Sequence, residues 1–248
     1  MRVGYGRSCI TPPLGTPCAL GLEDRLVAVL DDLYVRTVYI ETDEERLLLA
    51  AADLIGLYPE DTSEFLRCMA EAAGLRPDQV VLHATHTHQT GNSRWDVARL
   101  LEPYGLAEEF SSPVFRDLVV EGLAKAAAEA AGSRRPCEMA YCEAIVSGIA
   151  SNRRVPTGDG DKVTFRSSRP PAELREKPEG WIDPTLRMVL FRSKDDGTLV
   201  GLANYSCHPS VAGGDEGPYA TGDFPGAGLA LAEERIGGAR LLHLTGPC

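Results

Sequence analysis

Apolar runs of strand length alternate with amphipathic helical stripes along this chain, and that alternation restricts it to a mixed α/β architecture. Residues 34–42 and 46–54 are rich in aliphatic and β-branched side chains and flank a short acidic turn, which predicts a hairpin. Pro59 then opens a helix with Glu60 and Asp61 in its first turn, where carboxylates meet the positive end of the helix dipole. Phe65, Leu66, Met69 and Ala73 form its apolar stripe, and Gly74 closes it. Residues 79–85 read as a buried strand. Ser112 and Pro113 are a cap and first-turn pair for a second helix, with Phe115, Leu118, Val119, Leu123 and Ala126 inward and Gly132 at its end.

The second half repeats the alternation. Residues 137–149 look extended. Residues 152–181 are rich in Pro, Gly and charge and longer than loops in compact domains usually are, which predicts a lid, a binding loop or a flexible insertion. Residues 186–193 and 198–207 form another hairpin across Asp196-Gly197. Asp223 is expected to cap a last helix reaching about Ile236, and residues 239–244 form a final strand. The fold class expected is α/β, one domain over residues 1–248 with a mixed β-sheet flanked by helices. A strand running into Gly246-Pro247-Cys248 reads as the entry to a loop, so the domain is expected to be incomplete at its C-terminus.

The formal net charge of -11 argues against nucleic acid and anionic membrane surfaces as partners, since both would be repelled. No run of roughly 18 apolar residues predicts a membrane span, and no apolar signal core follows Met1, so a cytoplasmic location is expected. The seven cysteines are odd in number and show no CxxC spacing, which predicts reduced thiols and no thiolate zinc site.

Chemistry concentrates in the histidines. Three of the five fall in His83-Ala84-Thr85-His86-Thr87-His88, directly after a predicted strand. In an extended chain, residues two apart share a face, so His86 and His88 are expected to project together and Thr85 and Thr87 away from them. Such a pair serves either one metal or a metal and a substrate, and a hydrogen-bonded structural cluster is the competing explanation. His208 ends another predicted strand, before Pro209 and the glycine pair Gly213-Gly214, and supplies the third imidazole. Imidazole nitrogen suits zinc. Asp223 is read as a helix cap before a partner orienting a ligating histidine, and Asp53 poses the same choice. Arg153 opens the long polar loop, where its guanidinium could hold a carboxylate or stabilise an oxyanion. His243 reads as a satisfied core histidine.

Together these stretches resemble the neutral (non-lysosomal) ceramidase family. Ala84-Thr85-His86-Thr87-His88 matches its A-T-H-T-H signature. Ser8-Cys9-Ile10-Thr11-Pro12 and Asp32-Leu33-Tyr34-Val35-Arg36 look like its opening and D-x-L-Y-A-R-A segments. Asn152-Arg153, Cys207-His208-Pro209-Ser210 and Thr221-Gly222-Asp223 look like its N-R-S-P, H-P-T-S and S-G-D motifs. The likeness spans nearly the whole chain as scattered short matches. It implies zinc held by His86 and His208, with His88 as a general acid/base or supporting group at the scissile carbonyl. It implies substrate binding by Arg153 and hydrolysis of a fatty acyl amide, a lipid-like substrate. The family's serine lies in a G-D-x-S-P-N segment that would begin about where this chain ends. Its remaining Glu and Tyr ligands and its immunoglobulin-like domain have no counterpart here. Two other readings stand beside this one: a ceramidase-like binding or structural module without turnover, and a metallohydrolase of phosphate or lactone esters.

Overall fold

The structure, a computed structural model, describes residues 1–20, 24–167, 169–212 and 217–247. Gly213-Gly214 and Cys248, named above, lie outside the described residues. Eight strands build the main sheet: β1 (Arg2–Cys9), β2 (Tyr34–Glu41), β3 (Arg46–Ala52), β4 (Val80–Ala84), β5 (Arg135–Ile145), β6 (Thr185–Ser193), β7 (Leu199–Tyr205) and β8 (Arg240–Thr245). Their spatial order is β8-β7-β6-β5-β1-β2-β3-β4. The β3–β4 and β7–β8 pairs are parallel and the others antiparallel, so the sheet is mixed.

The sheet folds back on itself. β1 and β5 pair only through Arg2 and Val3 with Pro136 and Arg135, which leaves a hinge between two four-stranded halves. Val3, Tyr5, Val38 and Ala51 of the first half then pack against Cys137, Phe191, Val200 and Leu242 of the second in one buried cluster. The two edge strands meet as well. The Thr245 amide donates to Nε2 of His83 at 3.0 Å, and the Thr245 hydroxyl donates to the Thr85 carbonyl at 2.7 Å.

Helices cover both outer faces. α1 (Pro59–Ala73) and α2 (Pro113–Gly132) lie against the first half, where Phe65, Met69, Phe115, Val119 and Leu123 join Val35, Tyr39 and Leu48 in the largest core cluster. Burying each of these large side chains contributes about 1.5–3 kcal/mol before chain entropy is charged against it. The Ser112 hydroxyl accepts from the Phe115 amide at 3.2 Å and caps α2 as expected. Gly74, at φ 66°, ends α1 in the left-handed conformation. α3 (Asp223–Arg235) covers the second half through Leu229, which packs with Ala239 and Leu241. The layers therefore run helix, sheet, sheet, helix, a single mixed α/β domain.

Two expectations change. The polar stretch 152–181 carries a small hairpin, Arg154–Pro156 with Val163–Phe165, and a helical turn, Ala172–Arg175. Asp223 is not the cap of α3: the helix begins at Asp223 itself, with Gly222 before it and Asp223 at φ 55°. Its carboxylate is shared between the helix's own Phe224 amide and the Ala212 amide. Among the described residues no helix is long and apolar enough to cross a membrane.

Candidate metal centre

The C-terminal ends of β4 and β7 open on the same end of the sandwich, where α/β sheets gather ligands. β4 delivers His86 and His88, and β7 delivers His208. Their ring centroids lie 5.2 Å (86 to 88), 4.8 Å (86 to 208) and 4.7 Å (88 to 208) apart, each ring nearly perpendicular to the next. Ligand-capable nitrogens of all three lie within 4.8 Å of one another, and all three residues are half-buried. Nε2 of His88 and Nε2 of His208 form a 2.9 Å hydrogen bond. The convergence expected from the sequence is present, and the cluster could hold a metal ion.

The route to it differs from the extended chain expected. β4 stops at Ala84, and His86 adopts a left-handed backbone at φ 69°. That conformation costs an L-residue other than Gly about 1–2 kcal/mol, so its surroundings must impose it. They do so through the segment after β3. The His86 amide donates to the Leu54 carbonyl at 3.0 Å, and Nδ1 of His86 sits 2.6 Å from the Ile55 carbonyl. A carbonyl only accepts, so Nδ1 carries the proton and Nε2 keeps its lone pair. The Thr85 amide donates to the Ala52 carbonyl at 2.9 Å, and its hydroxyl to Asp53 Oδ1 at 3.0 Å. Thr87 points away from the cluster and donates its hydroxyl to the Thr221 carbonyl at 2.7 Å.

Burial favours the neutral form of two of the rings, His88 and His208. Burial, and then the neighbouring imidazoles of His208 and His86, push the pKa of His88 down to about 4. His208 is lowered by burial, by His86 and by the Arg153 guanidinium. Arg153 is thus close enough for its charge to be felt at the cluster, and its Cζ lies 5.4 Å from the centroid of Phe165. Neutral imidazoles are the ligating form.

Two acidic residues brace the site. Asp223 accepts from the Ala212 amide at 2.8 Å and from the Phe224 amide at 2.6 Å, which ties the segment after His208 to the start of α3. It holds backbone, and its charge opposes the lowering of the His88 and His208 pKa values by burial. Asp31, which no sequence pattern singles out, accepts from the Gly222 amide at 2.8 Å and from the Thr221 hydroxyl. His243 is buried, as expected of a core residue, yet its Nε2 has no hydrogen-bond partner among the described residues. Beside His88 lies a cavity of about 280 Å³ lined by Cys18, Leu20, Leu26, Thr90 and Pro218 among others. A larger concavity of about 490 Å³, at the turn between β2 and β3, is lined by Asp43, Glu44, Glu45 and Arg46 and includes none of the histidines.

The sequence matches no known protein-family model and no curated protein. Solved structures do match. The neutral ceramidase from Pseudomonas aeruginosa superposes with a TM-score of 0.72 at 18% identity, covering 98% of this chain and 38% of that one. A ceramidase complexed with C2 gives a TM-score of 0.70 at 18% identity, covering 99% of this chain and 37% of that one. The chain therefore has the fold of a neutral ceramidase over 38% of that protein's length.

Proposed function

We propose that residues 1–248 form a ceramidase-like catalytic domain that hydrolyses an N-acyl amide with zinc. The reading is carried by one observation: His86, His88 and His208 converge from two strand ends on a space the size of one ion, in a ceramidase fold. The donor set fits zinc, because burial favours the neutral form of His88 and His208, and Nδ1 of His86 is committed to a carbonyl, leaving its Nε2 free. His86 and His208 are the ligands in this reading. When bound, zinc supplies Lewis acidity toward a carbonyl oxygen and acidifies water.

The chain's own residues do the rest. His88 adjoins His208 through Nε2 and lines the cavity, so it can take a proton from the attacking group and return it to the leaving amine. Its low proton affinity in the resting site favours the neutral, accepting form. The Arg153 guanidinium binds an oxygen of the substrate near the acyl carbonyl. The cavity beside His88 is of mixed lining, with Leu20, Leu26 and Pro218 next to Asp24 and Gln89, and it is where the substrate enters in this reading.

The test is incubation of the purified, zinc-loaded protein with a short-chain ceramide, other N-acyl amides, carboxylic esters and phosphoesters. Fatty acid release from the amides, abolished by a chelator and by His208→Ala, is expected; cleavage of phosphoesters alone would overturn the assignment. A binding module without turnover is the second reading. It predicts zinc binding with no release from any substrate.

A further inference from the structure

We propose that Asp53 is a positioning residue for the metal centre, gripping Thr85 so that His86 is held in the left-handed conformation that leaves its Nε2 to the cluster. The inference rests on the zinc reading above and adds to it residues that contact neither ion nor substrate.

The geometry is a three-point clamp by residues 53–55 on residues 85 and 86. The Asp53 carboxylate takes the Thr85 hydroxyl, the Leu54 carbonyl takes the His86 amide, and the Ile55 carbonyl takes the His86 ring. A fourth bond, from the Thr90 hydroxyl to the Asp53 carbonyl at 3.2 Å, anchors the chain on the far side of the His-x-His pair. The clamp is itself buried and bonded. Asp53 is 1% exposed, and its Oδ2 accepts from Arg36 Nη1 at 3.1 Å and from the Tyr34 amide at 2.8 Å. Arg36 is 5% exposed and stacks its guanidinium over the Tyr34 ring at 4.8 Å.

The residue type follows from the bonding. Three donors reach one side chain from different directions, and a carboxylate accepts on both oxygens while donating nothing. A buried ion pair is weak support for stability by itself, since packed apolar residues serve as well. What singles this one out is where its free oxygen goes. It reaches the residue next to a strained metal-binding candidate, and outer contacts of this sort fix ligand orientation.

The experiment compares cobalt(II) binding by the wild-type chain, Thr85→Val and Thr85→Ser, using chelator competition and the visible cobalt spectrum. Circular dichroism establishes that each metal-free protein is folded. Thr85→Val removes only the hydroxyl and keeps the branched shape. It is expected to weaken cobalt binding about 10–100-fold and to perturb the spectrum, whereas Thr85→Ser stays within about 3-fold of wild type. Thr85→Ala, as a second variant, must show the same loss. Wild-type affinity and spectrum in the folded Val and Ala variants would overturn the inference while leaving the zinc reading intact. Absence of cobalt binding by the wild type overturns both.

Discussion

Nε2 of His88 and Nε2 of His208 lie 2.9 Å apart, although 120 residues separate them in the chain. One of the two rings must donate and the other accept, since burial keeps both imidazoles from charging near neutrality. A cation entering the cluster exchanges this hydrogen bond for bonds to lone pairs. Zinc binding should therefore stabilise the fold, by about 2.7 kcal/mol at a free zinc concentration 100 times Kd. Calorimetric melting with and without zinc measures the rise, and elemental analysis should give one zinc per chain. His86→Ala and His208→Ala should each remove the rise. An unchanged melting temperature in the wild type would sink the metal reading.

In the proposed reading His88 separates binding from chemistry. His88→Ala should keep its zinc and lose about 10²–10⁴-fold in the rate of amide hydrolysis, the usual loss when a positioned acid/base group is removed. Zinc content and turnover are measured on the same preparation. Loss of zinc together with turnover would instead make His88 a ligand.

In the proposed reading Arg153 acts from the polar loop, so its effect should fall on substrate. Removing a charged hydrogen-bond partner with Arg153→Ala should raise KM about 10–100-fold with zinc content unchanged. The same substitution removes one of the charges lowering the His208 pKa, so that imidazole should titrate at higher pH in the metal-free variant, which NMR can follow. An unaltered KM would take Arg153 out of the substrate site.

How much of this was legible in the sequence depends on range. Strand and helix periodicity, the Ser112 cap and the Asp196-Gly197 turn are local, and residues close in sequence encode them. His86, His88 and His208 could be singled out because rare ligand-type side chains sat at strand ends. The left-handed turn at His86 was hidden, since it depends on carbonyls of Leu54 and Ile55 over 30 residues away. The folding of the sheet onto itself was equally hidden: only the short β1–β5 pairing reveals it, and no pattern within one strand reports its neighbour across a hinge. Asp223 misled for a related reason. Its position before an apolar helix suits a cap, but it lies within the first turn at φ 55°, with one carboxylate oxygen on the Ala212 amide, outside the helix.

His243 should make the fold acid-sensitive. Burial, then the nearby charges of His83 and Arg36, push its pKa down to about 4, against about 6.5 for a free imidazole. Above pH 6.5 the ring is neutral whether folded or not, and stability is unaffected. As pH falls from about 6.5 to 4 the unfolded chain takes up a proton that the folded one refuses, so stability drops by an amount approaching about 3 kcal/mol. Denaturant titrations of the metal-free protein at pH 7 and pH 5 should show the drop. His243→Leu should reduce it, leaving what the other buried histidines contribute. An equal drop in the variant would assign the acid sensitivity elsewhere.

Packing between β1 and α2 gives the sharpest stability contrast. A Cβ on Gly6 would lie 2.0 Å from the Ala126 carbonyl oxygen, and one on Gly4 would lie 2.0 Å from that of Ala130. The helix backbone occupies the space that a side chain would need. The Thr37 hydroxyl, opposite Gly6 in the β1–β2 register, fixes the approach by donating to the same Ala126 carbonyl at 2.8 Å. Because the obstacle is backbone, Gly6→Ala must lift α2 from the sheet, and a loss of about 3 kcal/mol is expected. For a chain of this size that is a fall of about 6–12 °C in Tm. Gly228, inside α3, has nothing within 4 Å of its would-be Cβ. Gly228→Ala should therefore raise stability by about 0.5–1 kcal/mol through better helix propensity. The two melting curves should move in opposite directions, and a Gly6→Ala protein as stable as wild type would mean that α2 does not sit on β1 this closely.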